Sequence, residues 1–297
     1  MEEIKQHAKS LGFDLIAFCD ATLDEKYLGA HEKWIQKSFH ADMGYMEEVE
    51  KRADLTKILS GAASVIVLAT NYYYDQKTLK PGHGRIARYA YGRDYHKIIG
   101  KRLKKLEAFI GGDTKSYVDT GPVLERAFAE KAGLGFIGKN SCLITPELGS
   151  WVFLSVIITD LKLEPSPSRT LPSCGTCTRC MDACPVGAII APGVIDANKC
   201  ISYHTIENKG EIPPQIANKI AETGRIFGCD ICQEVCPHNC RAVPTKISTA
   251  IAGDQLSFEK IRSIKSDEEF LELFAGSPLM RTKKEGLQRN VQFYFPT

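Results

Sequence analysis

Nine of the chain's eleven cysteines lie between Cys174 and Cys240, and this crowding constrains the fold more than any other feature of its 297 residues. Cys174, Cys177, Cys180 and Cys184-Pro185 form the C-x2-C-x2-C-x3-C-P run that wraps cubane iron–sulfur clusters. Short spacings let three thiolates close around one cube while the intervening amides face its sulfurs. The fourth cysteine is carried away on a following helix toward a second cube. Cys229, Cys232 and Cys236-Pro237 repeat the ending, and Cys200 supplies the eighth thiolate that two four-cysteine clusters need. Crossed ligation assigns Cys174, Cys177, Cys180 and Cys236 to one [4Fe-4S] cluster, and Cys184, Cys200, Cys229 and Cys232 to the other.

Structural zinc also uses C-x2-C pairs, but two Cys-Pro endings and a four-cysteine run argue for iron–sulfur. Cys19 and Cys142 lie in apolar, strand-like patterns and read as core residues, whereas Cys240 reads as a bystander thiol. Elsewhere the composition is average: 43% hydrophobic, 25% charged, with a formal net charge of +2. That balance disfavours a protein that coats nucleic acid or an anionic membrane. The N-terminus is charged and lacks an apolar signal region, and no apolar run is long enough to span a bilayer. The expectation is a cytoplasmic, monomeric protein without membrane attachment, whose clustered thiols hold metal.

The coarse plan is α+β in three parts. Residues 1–165 read as an α/β domain, 166–250 as a bacterial ferredoxin-like two-cluster module, and 251–297 as a helical tail. In the first part, residues 2–11 suit a helix, while FDLIAFC, SVIVLAT, TKSYVD, SCLIT and WVFLSVIITD suit strands. Residues 97–110 place Ile98, Leu103, Leu106 and Ile110 near helical spacing. GPVLERAFAEKAGL reads as a helix with Pro122 in its first turn. The proline-rich LKLEPSPSRTLPS reads as a linker or wrapping loop, and the tail as two short helices.

A bare electron carrier needs far fewer residues, so the first part should house the electrons' destination: a flavin, a corrinoid or a bound substrate. Three patterns there mislead. Gly133-Leu-Gly135-Phe-Ile-Gly138 matches a dinucleotide fingerprint but leaves a helix to enter a strand, the reverse of the required order. Continued to Lys139-Asn140, it resembles a P-loop without the magnesium-binding hydroxyl. Asp94-Tyr-His96-Lys-Ile-Ile-Gly100 resembles a cobalamin motif with one residue too many. Between Arg85 and Lys97 aromatics alternate with cations, which suits either a solvated loop edge or a large planar ligand bearing phosphate. Asp119 ends a short strand before Thr-Gly-Pro, where it reads either as a turn aspartate or as a proton donor.

Taken together, Arg88-Tyr89-Ala-Tyr-Gly-Arg-Asp94-Tyr95-His96, Asp119-Thr-Gly-Pro122 through Arg126, Gly138-Lys139-Asn140, CGTCTRCMDACPVGAI, Cys200-Ile-Ser202 through Glu207 and GCDICQEVCP resemble the epoxyqueuosine reductases, in order along nearly the whole chain. The resemblance implies a nitroreductase- and reductive-dehalogenase-like domain that binds cobalamin without a protein axial ligand. It implies a ferredoxin-like module that reduces the cobalt, fed by an external low-potential donor such as flavodoxin or ferredoxin. The implied reaction converts epoxyqueuosine to queuosine at the wobble position of a tRNA anticodon. It carries over Asp119 as the proton donor, with a pKa raised toward neutrality, and Arg88, Tyr95, His96, Arg126, Lys139, Asn140 and Ser202 as cofactor contacts. The family's C-terminal helical-repeat domain has no counterpart in the tail, whose cations are Arg281, Lys283 and Lys284. Competing readings are a corrinoid or flavin reductase acting on a small molecule, and a non-enzymatic ferredoxin-like carrier.

Overall fold

The computed structural model describes residues 1–246 and 253–295. Its centre is an antiparallel sheet ordered Leu15–Asp20, Ser64–Asn71, Val152–Thr159 and Thr114–Val118. Ser64–Asn71, the SVIVLATN run, is buried along its whole length because both sheet faces are covered. Val65, Val67, Val156 and Ile158 point to one face and pack with Val123, Phe128 and Ala129. Ile66, Leu68 and Ile157 point to the other and meet Tyr95, Ile99, Leu103 and Leu106. The period-two alternation of strand side chains thus builds two cores from one sheet.

The helix behind the second core runs Tyr95–Ile110, two residues earlier than periodicity alone suggests. Asp94 explains the early start, since its Oδ1 accepts the His96 backbone N–H at 3.0 Å as an N-cap. The buried face uses Ile99, and Ile98 is only half-buried, because Tyr95, Ile99, Leu103 and Leu106 share one stripe.

The helix expected from Pro122 starts instead at Glu125 and ends at Lys131. Two contacts hold the preceding turn open. Arg52 Nη1 donates to the carbonyls of Gly121 and Val123 at 3.3 and 3.2 Å. Gly121 lies so close to the Tyr117 ring that a Cβ would collide with it. SCLIT supplies only the short strand Leu143–Ile144, paired with Phe136–Ile137. Cys142 precedes that strand, half-buried rather than inside a core. Cys19 is fully in the core, 3% exposed.

The proline-rich segment wraps the sheet edge. Ser166 exchanges two hydrogen bonds with the Phe18 backbone, and Arg169 pairs with Glu147 at 2.6 Å. A second sheet takes one strand from each expected part: Arg225–Phe227, His83–Ile86 and Gln255–Ser257. The tail helices Phe258–Arg262, Asp267–Phe274 and Lys283–Val291 close over it, burying Phe270, Phe274, Leu279 and Leu287 against Ile86, Ile226 and Phe227. The expected boundary at residues 250 and 251 lies outside the described residues. Among the described residues no helix is long and apolar enough to cross a membrane.

Candidate functional site

The cysteine loops fold into two groups. Burial raises the Cys236 thiol, a His238 amide opposes it, and Cys174, Cys180 and Cys177 add to the rise, which places all four together. Burial likewise raises Cys180, with Cys174 and Cys177 beside it. In the second group burial pushes Cys229 up to about 12, with Cys200 adding. Burial raises Cys200, with Cys184 adding, and burial raises Cys232 well above its ordinary range, with Cys142, Cys229 and Cys200 adding in that order. The helices Arg179–Asp182 and Ile231–Glu234, which carry Cys180 and Cys232, pack together. Among the described residues no three His, Cys, Asp or Glu side chains close on a single-ion site. Eight thiols in these loops match in number what two cubanes take, one thiolate on each of four irons.

Three residues expected as cofactor contacts, Lys139, Asn140 and Ser202, lie against these loops. Lys139 donates its backbone N–H to Cys174 Sγ at 3.4 Å and its Nζ to the Gly175 and Cys177 carbonyls at 2.8 and 2.9 Å. Asn140 donates to the Cys232 carbonyl, and the Ser202 amide faces the Cys200 sulfur. The Lys139 and Ser202 backbone N–H groups thus face cysteine sulfurs, while the Lys139 ammonium and the Asn140 amide hold the loop carbonyls. Cys142 also lies here, its thiol 3.4 Å from Gln233 Oε1.

Arg88 is likewise committed within the protein, at 7% exposure. Its Nη1 pairs with Asp230 at 3.2 Å and Glu234 at 2.8 Å, and its Nε donates to the Tyr74 carbonyl. The guanidinium lies 4.6 Å from the Trp151 ring centroid. The side chain thus ties the α/β part to the loop between Cys229 and Cys236. Alternation of aromatics and cations in sequence gives no sign of this, because its acidic partners are more than 140 residues away.

The proton-handling residues converge at the sheet end. Asp119 follows the strand Thr114–Val118 with a φ of 61°, a left-handed conformation that costs a non-glycine residue about 1 kcal/mol or more. Tyr95 OH donates to Asp119 Oδ2 at 2.6 Å, and His96 Nε2 stands 3.7 Å from the same oxygen. His96 Nδ1 meets Asp94 Oδ1 at 2.7 Å. The Asp119 side chain is 66% exposed. Tyr72, Tyr74, Tyr89, Tyr95 and Phe153 line an adjoining aromatic wall, with Arg93 on its rim.

The charge state at this site differs from expectation. Loss of water to the surrounding protein pushes the Asp119 carboxyl up, but the nearby His96 imidazole and the hydrogen bond from Tyr95 outweigh it and hold the pKa below the usual carboxylate range. Burial also disfavours charge on His96, yet Asp119 and Asp94 outweigh it and lift the imidazole to about 9. Both directions favour an ionised Asp119 beside an imidazolium His96. Glu125 was not foreseen. Burial pushes it up to about 8, Asp119 adds to the rise, and its Oε1 has no hydrogen-bond partner. Arg126, from the same helix turn, is exposed and donates to the Ser141 carbonyl. An open carboxylate, an unpartnered imidazole nitrogen and an aromatic wall are compatible with a planar macrocycle and a reducible oxygen substrate.

Residues 173–239 match a 4Fe-4S double cluster binding domain, and residues 52–120 match the family described as epoxyqueuosine reductase QueG, DUF1730. An epoxyqueuosine reductase of Gloeobacter violaceus is 42% identical over 98% of this chain and 94% of its own length. One from Pseudomonas aeruginosa is 38% identical over 98% of this chain and 83% of its own. An epoxyqueuosine reductase crystallised with an epoxyqueuosine-modified tRNA-Tyr stem loop superposes with a TM-score of 0.89 at 34% identity, covering 98% of this chain and 80% of that one. The Streptococcus thermophilus enzyme gives 0.90 at 30% identity over the same shares. A catabolic reductive dehalogenase, 18% identical with a TM-score of 0.52 over 98% of this chain and 35% of its own, shares the fold. With this identity sustained over nearly the full length, the chain belongs to the epoxyqueuosine reductase family.

Proposed function

We propose that the protein reduces epoxyqueuosine to queuosine at the wobble position of tRNA anticodons, with cobalamin and two [4Fe-4S] clusters as cofactors. The observation that carries this reading is the match, at 34% identity, to an epoxyqueuosine reductase holding a modified tRNA stem loop. Bound cobalamin supplies low-valent cobalt as a reductant for the epoxide carbon. The first 165 residues hold it beside Tyr95, His96 and Arg126, and Asp119 delivers a proton to the departing epoxide oxygen. An alkoxide is a poor leaving group, so a positioned acid contributes roughly 10²–10⁴-fold. Tyr95 fixes the Asp119 carboxylate, which stays exposed at the left-handed turn.

Cys184, Cys200, Cys229 and Cys232 hold the outer cluster and receive electrons from a flavodoxin- or ferredoxin-type donor. Cys174, Cys177, Cys180 and Cys236 hold the inner one. In this reading the enzyme works as a cytoplasmic monomer. Arg281 pairs with Glu207 at 2.8 Å, so tRNA contacts fall on other cations. Anaerobic reconstitution with cobalamin, then nucleoside analysis of tRNA carrying epoxyqueuosine, tests the proposal. Appearance of queuosine supports it. Flavin in place of cobalt, or turnover of small halogenated substrates alone, supports the small-molecule alternative.

A further inference from the structure

Deoxygenating an epoxide to an alkene consumes two electrons and two protons and releases one water. The first carbon–oxygen cleavage leaves an alkoxide that takes one proton. The second expels that oxygen, which takes another. A carboxyl that rests ionised has no proton of its own to give, so Asp119 needs a proton reserve beside it for each of these steps. This inference rests on the epoxide-reduction reading above and deepens it.

Asp94, His96 and Asp119 are arranged as such a reserve. Asp94 Oδ1 accepts from the His96 backbone N–H at 3.0 Å and from Nδ1 at 2.7 Å, so ring and backbone are gripped by one oxygen. Holding the Nδ1 proton turns Nε2 toward Asp119 Oδ2, 3.7 Å away. That nitrogen is buried and has no hydrogen-bond partner. A shift of less than 1 Å brings it to bonding distance. Asp94 is fixed in turn, because its N–H donates to the Gly276 carbonyl of the tail at 2.7 Å. The Tyr95 ring stacks on His96 with centroids 4.1 Å apart, which restrains the imidazole from the other side.

We infer that His96 is the proton source that Asp119 draws on, charging it through Nε2, and that Asp94 is the positioning residue that makes this transfer possible. Imidazolium His96 passes its Nε2 proton to the Asp119 carboxylate, which delivers it to the departing oxygen at the first cleavage and is a carboxylate again. His96 is left neutral with the Nδ1 proton still held by Asp94, and solvent restores its Nε2 proton. The same transfer supplies the second proton as the oxygen leaves as water, so two protons enter per turnover, and both electrons come from the external donor through the clusters.

The groups that face His96 are Asp94 beside it and Asp119 from the strand end, while Lys97 acts on Asp94 and Arg126 and Glu125 on or near Asp119. The two carboxylates outweigh burial and account for an imidazole held at about 9.

Asp94→Asn is the test, since asparagine is as good an N-cap as aspartate and removes only the charge. Two readouts are needed. In protein with both clusters, the carbon-13-labelled His96 ring is titrated by NMR. It should titrate near 9 in the wild type and move toward the ordinary 6.5 in Asp94→Asn. In single-turnover reduction of epoxyqueuosine tRNA, the alkaline limb should move with it. The rate should fall roughly three- to tenfold at pH 8 and stay within about twofold of wild type at pH 6. A His96 that titrates at the ordinary value in the wild type overturns the proposal. So does an Asp94→Asn rate lowered evenly at all pH values, or not lowered at all. If the wild type makes no queuosine, the reading of the function fails, and the NMR titration then decides the His96 arrangement by itself.

Discussion

Replacing Arg88 by methionine tests whether this residue clamps the two-cluster loops to the α/β part. Methionine keeps much of the apolar stem and its contact with Trp151 but removes the guanidinium. The loss comprises ion pairs to Asp230 at 3.2 Å and Glu234 at 2.8 Å and the hydrogen bond to the Tyr74 carbonyl at 3.0 Å. The Arg88 and Asp230 side chains are 9% and 6% exposed, so water offers little compensation. Removing one partner of a buried pair costs about 3–5 kcal/mol. Two contacts soften the loss: Arg225 still pairs with Glu234, and Asp230 still accepts the residue-88 backbone N–H at 2.8 Å. The lower end, about 3 kcal/mol, is therefore expected, which lowers Tm by roughly 6–12 °C in a chain of this size. The assay is anaerobic thermal unfolding by circular dichroism, with iron measured in the same samples. Adding Asp230→Asn should recover part of the loss, because the orphaned charge disappears. A Tm change below about 2 °C, or further destabilisation by Asp230→Asn, would refute the clamp.

Cys200→Ser should cost one cluster and Cys236→Ser the other, each removing roughly half the bound iron, whereas Cys142→Ser and Cys240→Ser should keep all of it; iron and sulfide analysis decides. Glu125 supplies a pH signature, since its folded pKa of about 8 lies above the ordinary 4.5. The unfolded chain releases that proton first, so stability falls as pH rises from about 4.5 to about 8 and then levels off. Glu125→Gln should flatten that slope in urea titrations, and an unchanged slope would contradict the burial of this carboxyl.

The cluster module was legible because ligand spacing is a local, covalent property: the run from Cys174 to Cys184-Pro185 marks an iron–sulfur module before any fold is known. The strands of the main sheet were legible for the same reason, as SVIVLAT and WVFLSVIIT carry their burial in their composition. The second sheet was not, because Arg225–Phe227, His83–Ile86 and Gln255–Ser257 are short and gain meaning only when paired across the chain. Arg88 misled because a cation among tyrosines has the same local pattern whether it meets a ligand or a buried acid. Asp119 could be placed from sequence, but its protonation could not. That depends on Tyr95 and His96, which approach it only once the helix Tyr95–Ile110 packs behind the sheet.

The central claim is that this chain deoxygenates a tRNA nucleoside through Asp119. Its most direct test compares wild type and Asp119→Asn, each reconstituted anaerobically with cobalamin, in single-turnover conversion of epoxyqueuosine tRNA followed by nucleoside analysis. Wild type should yield queuosine, while Asp119→Asn should retain iron and cobalamin but react roughly 10²–10⁴-fold more slowly. No queuosine from the wild type, or equal rates from the two proteins, would contradict the account.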